Sequence, residues 1–431
     1  MPATKFESNG ATLNHEEVRK LLEMKEINYL SEMMNFQGVI YNDIEVHKKI
    51  ACARYFGKPV DGHAPGLTGE NLRKYVKAGI STDHECSTLE EAKEKISLGM
   101  KILIREGSAA RNLNLLKELF NSNPDMIMLC SDDLNPEMLQ KRHINKLIAA
   151  FISEGFNVFD VIRSVTINPS EHYNLNAGLL LPGDNADFIS VYSLNKMNVK
   201  ESWIDGKKVY ANGKVLFTYE AGNPVNNFNC KPVTQGDILV RNKHGKIRII
   251  TACEGELLTS EIHSSSGTSE YVFPDLNNDI LKLVVKDRYN DSPAAIGFIK
   301  GFGLKRGAFA SSIAHNSHNI VSVGTNDKDI VESINEIVRL KGGLVVSVGG
   351  SVKSIQLDIV MTTRSCEEVA LDYEELNLLV KSLGCTMNAP FMTLSFMALL
   401  VIPDLKISDR GLFDVNKFEL VPLFVEYELV T

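Results

Sequence analysis

A chain of 431 residues that is 44% hydrophobic and 23% charged has an ordinary globular composition. At a prior of roughly 150 residues per domain it is long enough for two or three domains, each with its own core. The net charge of −8 offers no basic face to release the counterions of a phosphate backbone, which argues against nucleic acid as a partner. The 7 cysteines are odd in number and form no CxxC pair, so neither a disulfide framework nor a thiolate zinc site is expected, and a reducing, cytoplasmic setting fits.

Met1–Gly10 is polar and lacks the apolar stretch of a signal peptide, so none is expected. Short apolar runs and amphipathic stretches then alternate up to about residue 175. The runs are Tyr29–Met33, Pro59–His63, Gly79–His84, Met100–Glu106 and Met126–Asp132. Helical periods follow them, as at Leu72–Lys77, Leu89–Leu98 and Leu113–Phe120. Continuous apolar runs between helices predict parallel strands covered on both faces, in a barrel or a doubly wound sheet. The strand ends favour the barrel. Glu32, His63, His84 with Glu85, Glu106, and Asp132 with Asp133 each close one run. A (β/α) barrel carries its active site on that rim, whereas a doubly wound sheet concentrates such groups at one switch point.

From about 176 the texture turns to short strands, with hairpin signals at Asp205-Gly206 and Asn212-Gly213. Asn223–Asp237 reads as a linker, and strands and helices mix beyond it, with Gly-rich turns at Gly301–Gly307 and Gly342-Gly343. The longest apolar run, Phe391–Pro403, is too short to span a bilayer and reads as core, so no membrane association is expected. The expected fold class is α/β, an incomplete TIM-type barrel with about five of eight units. It occupies residues 1–175 and is followed by a small β domain at 176–224 and an α+β domain at 225–431.

Two histidines and several carboxylates on successive strand ends suit a hydrolytic metal site. Imidazole and carboxylate bind zinc, manganese or iron, and water bound there becomes acidic enough to act near neutral pH. A carboxylate beside it can carry its proton. Either histidine alone also reads blandly, His63 as a turn residue before Ala64-Pro65-Gly66 and His84 as part of a helix cap.

The segments Ser31–Asn35, Val60–Gly66, Ser81–Cys86, Leu103–Ala109 and Cys130–Asp133 resemble, in order and spacing, those of the adenine deaminase family of amidohydrolases. So do Lys300–Gly307, Ala314–Asn319 and Pro390–Phe396. The resemblance implies an amidohydrolase-type barrel with two divalent metals, manganese first and iron or zinc as alternatives, hydrolysing adenine to hypoxanthine and ammonia in purine salvage. It implies Glu32 as bridging carboxylate, His63 and His84 as ligands, and Asp132 as ligand and proton carrier. Glu85 is the candidate for protonating the ring nitrogen. Arg105 and Glu106 are candidates for lining the substrate pocket or, alternatively, a buried ion pair. Asp133 is a candidate for supporting a ligand histidine or for capping a helix. His315 and His318 either reach the site or form a structural turn, and Asn316 stands where the family usually has Asp.

One departure stands out. The family's first strand carries a His-x-His pair for the more buried metal, and none of the 10 histidines here makes one. The resemblance starts at Pro2-Ala3-Thr4, which leaves the family's first three barrel strands outside the chain and the barrel unclosed. The alternative expectation is therefore an inactive or split fragment that needs a complementing N-terminal chain. A homo-oligomer is the other expected assembly.

Overall fold

The computed structural model describes residues 4–108, 111–177, 179–220, 222–223 and 225–425. Pro2-Ala3, Ala109 and Gly178 lie outside the described residues. The chain divides into two compact units.

The first unit spans 13–134 and 138–221. Its strands are β1 (Leu30–Met33), β2 (Val60–Gly62), β3 (Thr82–Asp83), β4 (Lys101–Arg105) and β5 (Ile127–Cys130). All lie inside the apolar runs. β1 pairs parallel with β2, and β3, β4 and β5 pair parallel in that order. A parallel bridge from Val60 to Ile80, with Ser81 N donating to the Val60 carbonyl at 3.0 Å, joins the two sets. The result is a parallel arc in chain order, the form expected of part of a (β/α) barrel.

Helices bury the outer face of the arc. Gly69–Ala78 turns Leu72 and Tyr75 inward and stops at Gly79, whose φ of +110° is left-handed and suits glycine. Leu89–Ser97 starts at Thr88, whose hydroxyl accepts from Glu91 N. Leu147, Ile148 and Phe151 of helix Ile144–Ser153 close over Ile102, Ile104, Ile127 and Leu129. The predicted helix at 113–120 runs as α-helix only over Leu113–Leu116 and continues as 3₁₀ over Lys117–Asn121.

Gly62 is the tightest point of the arc. A Cβ there would lie 2.2 Å from the Thr82 carbonyl oxygen, so only glycine lets β2 and β3 approach this closely. That approach sets His63 beside His84.

The same unit holds an antiparallel meander of β6 (Phe188–Val191), β7 (Val199–Ile204), β8 (Lys207–Ala211) and β9 (Lys214–Val215). Its turns fall on Asp205-Gly206 and Asn212-Gly213. All four residues have positive φ, as a type I′ hairpin requires.

The second unit comprises 222–431, residues 135–137 and the described residues up to Thr12. Its main sheet runs β11 (Thr259–Ser265), β10 (Lys246–Ala252), β13 (Ala295–Lys300), β12 (Ile280–Lys286), β15 (Ile320–Gly324), β14 (Ala308–Ser311), β16 (Gly343–Val348), β17 (Ser351–Gln356). Helix Asp327–Leu340 buries Ile330, Ile334 and Ile337 against it. The predicted core run is buried, with Leu394 and Met397 fully enclosed. The N-terminal segment is tied here too. Ser8 N donates to Asp409 Oδ1 at 2.8 Å, and the Phe6 ring packs 4.9 Å from Phe413. Among the described residues no helix is long and apolar enough to cross a membrane.

Candidate metal centre

Parallel strands point their C-terminal ends the same way, so the residues that close them meet. Glu32 lies in β1, His63 follows β2, His84 and Glu85 follow β3, Arg105 ends β4 and Asp132 follows β5. His84 Nε2 stands 3.0 Å from Glu32 Oε2, 3.5 Å from Glu85 Oε1 and 3.7 Å from Asp132 Oδ2. His63 Nδ1 lies 3.6 Å from both Glu32 Oε2 and Glu85 Oε1. The two imidazoles face each other edge to face with centroids 5.4 Å apart.

Arg105 completes the cluster. Its Nη1 bonds Glu85 Oε1 and lies 2.6 Å from Asp132 Oδ2. Asp132 adopts a left-handed φ of +52°, which Asp tolerates better than most residues. Its Oδ1 accepts from Asp133 N at 2.7 Å, which directs Oδ2 to the cluster.

Burial makes these charges interact strongly. His63, Glu85 and Arg105 are buried, while Glu32 and Asp132 keep partial exposure. Burial alone would lower the His84 pKa, but the bond it donates to Glu32 and the charges of Glu85 and Glu32 raise it to about 9. Burial would raise Glu32, yet both imidazoles hold it far below the usual carboxylate range.

The donor set fits a divalent cation. Both His63 ring nitrogens are buried without a hydrogen-bond partner among the described residues, which is costly unless something binds them. With both imidazoles neutral, as metal ligands must be, three carboxylates against one guanidinium leave two negative charges, which a divalent ion would balance. Ligand atoms of Glu32, His63 and His84 lie within 4.8 Å of one another, and so do those of His84, Glu85 and Asp132.

Glu106 is next to Arg105, and strand alternation turns it to the opposite face. There it lies 3.5 Å from Arg111 Nε and from Arg142 Nη1, beside a cavity of about 300 Å³ that Ser131 and His143 also line. The Asp133 carbonyl accepts from Ser108 N at 2.9 Å. His315 and His318 belong to the second unit, where the His315 ring packs 4.6 Å from Phe396.

Sequence reasoning missed three groups that hold the cluster. Tyr75, fully buried, donates to the Met33 carbonyl at 2.8 Å and accepts from His63 N at 3.1 Å, tying β1 to β2. Asn112 accepts from Arg105 N at 2.8 Å and donates to the His84 carbonyl at 3.1 Å, tying β4 to β3. Asp61 accepts from Thr82 Oγ1 at 2.8 Å and from Tyr173 Oη at 3.0 Å, and burial raises its pKa. The available signal was the inward helical face for Tyr75. Asn112 and Tyr173 carried none.

A profile of the amidohydrolase family matches residues 2–209, and one of the adenine deaminase C-terminal domain matches 256–419. The chain is 48% identical to an adenine deaminase of Methanosarcina mazei, covering 99% of this chain and 80% of that protein. It is 44% identical to one of Salinibacter ruber, covering 99% and 79%. With one of Borreliella burgdorferi it shares 42% identity, covering 98% and 78%.

Proposed function

The chain belongs to the adenine deaminase family of amidohydrolases, and from that premise we propose that it hydrolyses adenine to hypoxanthine and ammonia at the strand-end cluster. The observation that carries the reading is the meeting of Glu32, Glu85 and Asp132 around His84, within 3.0–3.7 Å of its Nε2.

Glu32, His63 and His84 would hold the cation, with Asp132 beside it. A divalent ion there supplies Lewis acidity and makes water a nucleophile near neutral pH. Manganese is the metal we favour, because a set rich in carboxylate oxygen suits the harder ions, with iron or zinc as the other outcomes of a metal assay.

The chemistry needs two protons moved. Water adds to C6 of adenine, the C6–amine bond breaks, and ammonia leaves. Glu85 Oε1 takes the first water proton and passes it to the ring nitrogen adjacent to C6, which addition makes basic. Asp132 Oδ2 takes the second and passes it to the departing amine. The two carboxylates thus end as they began, and the product keeps the water oxygen at C6. Arg105 holds both in place through its Nη1, which bonds Glu85 Oε1 and lies 2.6 Å from Asp132 Oδ2. Thiols stay exposed at Cys253 and Cys366, which suits a reducing compartment and purine salvage in the cytoplasm.

The test is incubation of the purified chain with adenine and Mn²⁺, following hypoxanthine by chromatography and ammonia by coupled assay. Equal release of the two products supports the reading. A metal-loaded protein that leaves adenine intact while hydrolysing another cyclic amide or amine overturns the substrate assignment.

A further inference from the structure

Beneath the cluster lies a second, fully enclosed set of charges that the proposed chemistry does not use. Asp83 and Lys95 are 0% exposed and Glu91 is 2% exposed. Asp83, Cys86 and Glu91 present ligand-type atoms within 4.8 Å of one another, so this set also has the composition of a metal site. The cation is already supplied by the chain. Lys95 Nζ bonds Asp83 Oδ2, lies 2.5 Å from Glu91 Oε1 and donates to the Ala64 carbonyl at 2.8 Å. Burial would lower the Lys95 pKa, but Asp83 and then Cys86 and Glu91 more than offset it, and the ammonium stays charged.

Glu91 reaches both histidine-bearing loops from its helix. Its Oε1 accepts from Gly66 N at 2.9 Å, after His63 and Ala64. Its Oε2 accepts from Ser87 N and Oγ at 2.9 Å, after His84 and Glu85. Asp83, which immediately precedes His84, also caps Glu85 N at 2.8 Å. One ammonium therefore gathers the loop after β2 and the loop after β3 at a shared point.

We infer that Lys95 is a positioning residue of the metal centre. Its ammonium stands where a structural cation would stand, and it sets the separation of His63 and His84 through Ala64, Asp83 and Glu91. This rests on the proposed reading of those histidines as ligands. The device suits the site because a metal tolerates little error in ligand spacing, and outer groups that fix ligands typically govern 10–100-fold of metal affinity.

The experiment compares the wild-type chain with Lys95→Met, Glu91→Gln and a packing control, Leu116→Ala, which is equally buried in the same unit. Mn²⁺ affinity is read by calorimetry below every melting temperature. Amide exchange at Gly66 and Ser87 is read on metal-free protein. Lys95→Met is expected to weaken Mn²⁺ binding about 10–100-fold and to speed exchange at both amides. Glu91→Gln keeps the Lys95–Asp83 pair and should speed exchange at one of the amides, with a smaller loss of affinity. It decides the matter if Lys95→Met does not fold. Leu116→Ala is expected to lower the melting temperature while leaving affinity and both amides unchanged. Wild-type affinity in a folded Lys95 or Glu91 variant overturns the role of Lys95 alone. A wild-type chain that binds no Mn²⁺ overturns the metal reading and this role with it.

Discussion

Gly62 and Thr82 pack so closely that a methyl group on Gly62 would lie 2.2 Å from the Thr82 carbonyl oxygen. The contact is backbone against would-be side chain, so no rotamer change relieves it. Gly62→Ala is expected to cost about 1–3 kcal/mol, the usual range for overpacking a filled interior. It should also move His63 away from His84. Urea unfolding checks the first effect and Mn²⁺ affinity the second. A stable variant with unchanged affinity would show that β2 can shift freely.

The ligand assignment predicts an order of severity. His63→Asn and His84→Asn should each weaken Mn²⁺ by more than the 10–100-fold expected for outer groups, with the fold retained. Calorimetry gives the affinities and circular dichroism the fold. Equal affinity in both variants and wild type would remove the histidines from the site.

The two carboxylates should separate kinetically. Glu85→Gln and Asp132→Asn are each expected to lower kcat by about 10²–10⁴, the usual worth of a positioned proton carrier. Asp132→Asn should also lower metal affinity, because Asp132 is the one of the two proposed to stand beside the cation. Steady-state kinetics at saturating Mn²⁺ distinguishes the two. Intact turnover in Glu85→Gln would assign ring protonation to another group.

A pH effect is expected from the second unit. Lys406 is fully buried in the strand Leu405–Ser408 and donates to the Leu257 carbonyl at 2.9 Å. Burial pushes its pKa down to about 7, with Asp404 opposing. The unfolded side chain titrates near about 10.4. Between those values the unfolded chain binds a proton that the folded chain lacks, so stability rises with pH across about 7 to 10. Lys406→Met should flatten that slope. Denaturant midpoints at a series of pH values check it, and an equal slope in the variant would show that Lys406 stays charged when folded.

Much of the first unit was legible because its signals are local. Each of Tyr29–Met33, Pro59–His63, Gly79–His84, Met100–Glu106 and Met126–Asp132 contains an observed strand, and Glu32, His63, His84 and Asp132 near the ends of four of them come together. Arg105 and Glu106, read together as pocket residues or as a buried ion pair, part at the end of β4, where a period of two sends neighbours to opposite faces, and Arg105 pairs with Glu85 and Asp132. Lys95 was illegible for a different reason. Glu91 and Lys95 at i and i+4 look like a solvated helical pair, and only the tertiary fold encloses them. The N-terminal segment hid its partners in the same way, since Phe6 meets Phe413 and Ser8 meets Asp409 only in the folded chain.

The account stands on one cation bound between β1, β2 and β3. Crystals grown with Mn²⁺ and measured at the manganese edge would locate it directly. An anomalous peak in bonding contact with Glu32, His63 and His84 is the predicted result. Well-ordered density for these three side chains with no anomalous peak among them, or with the peak at some other group, would contradict it.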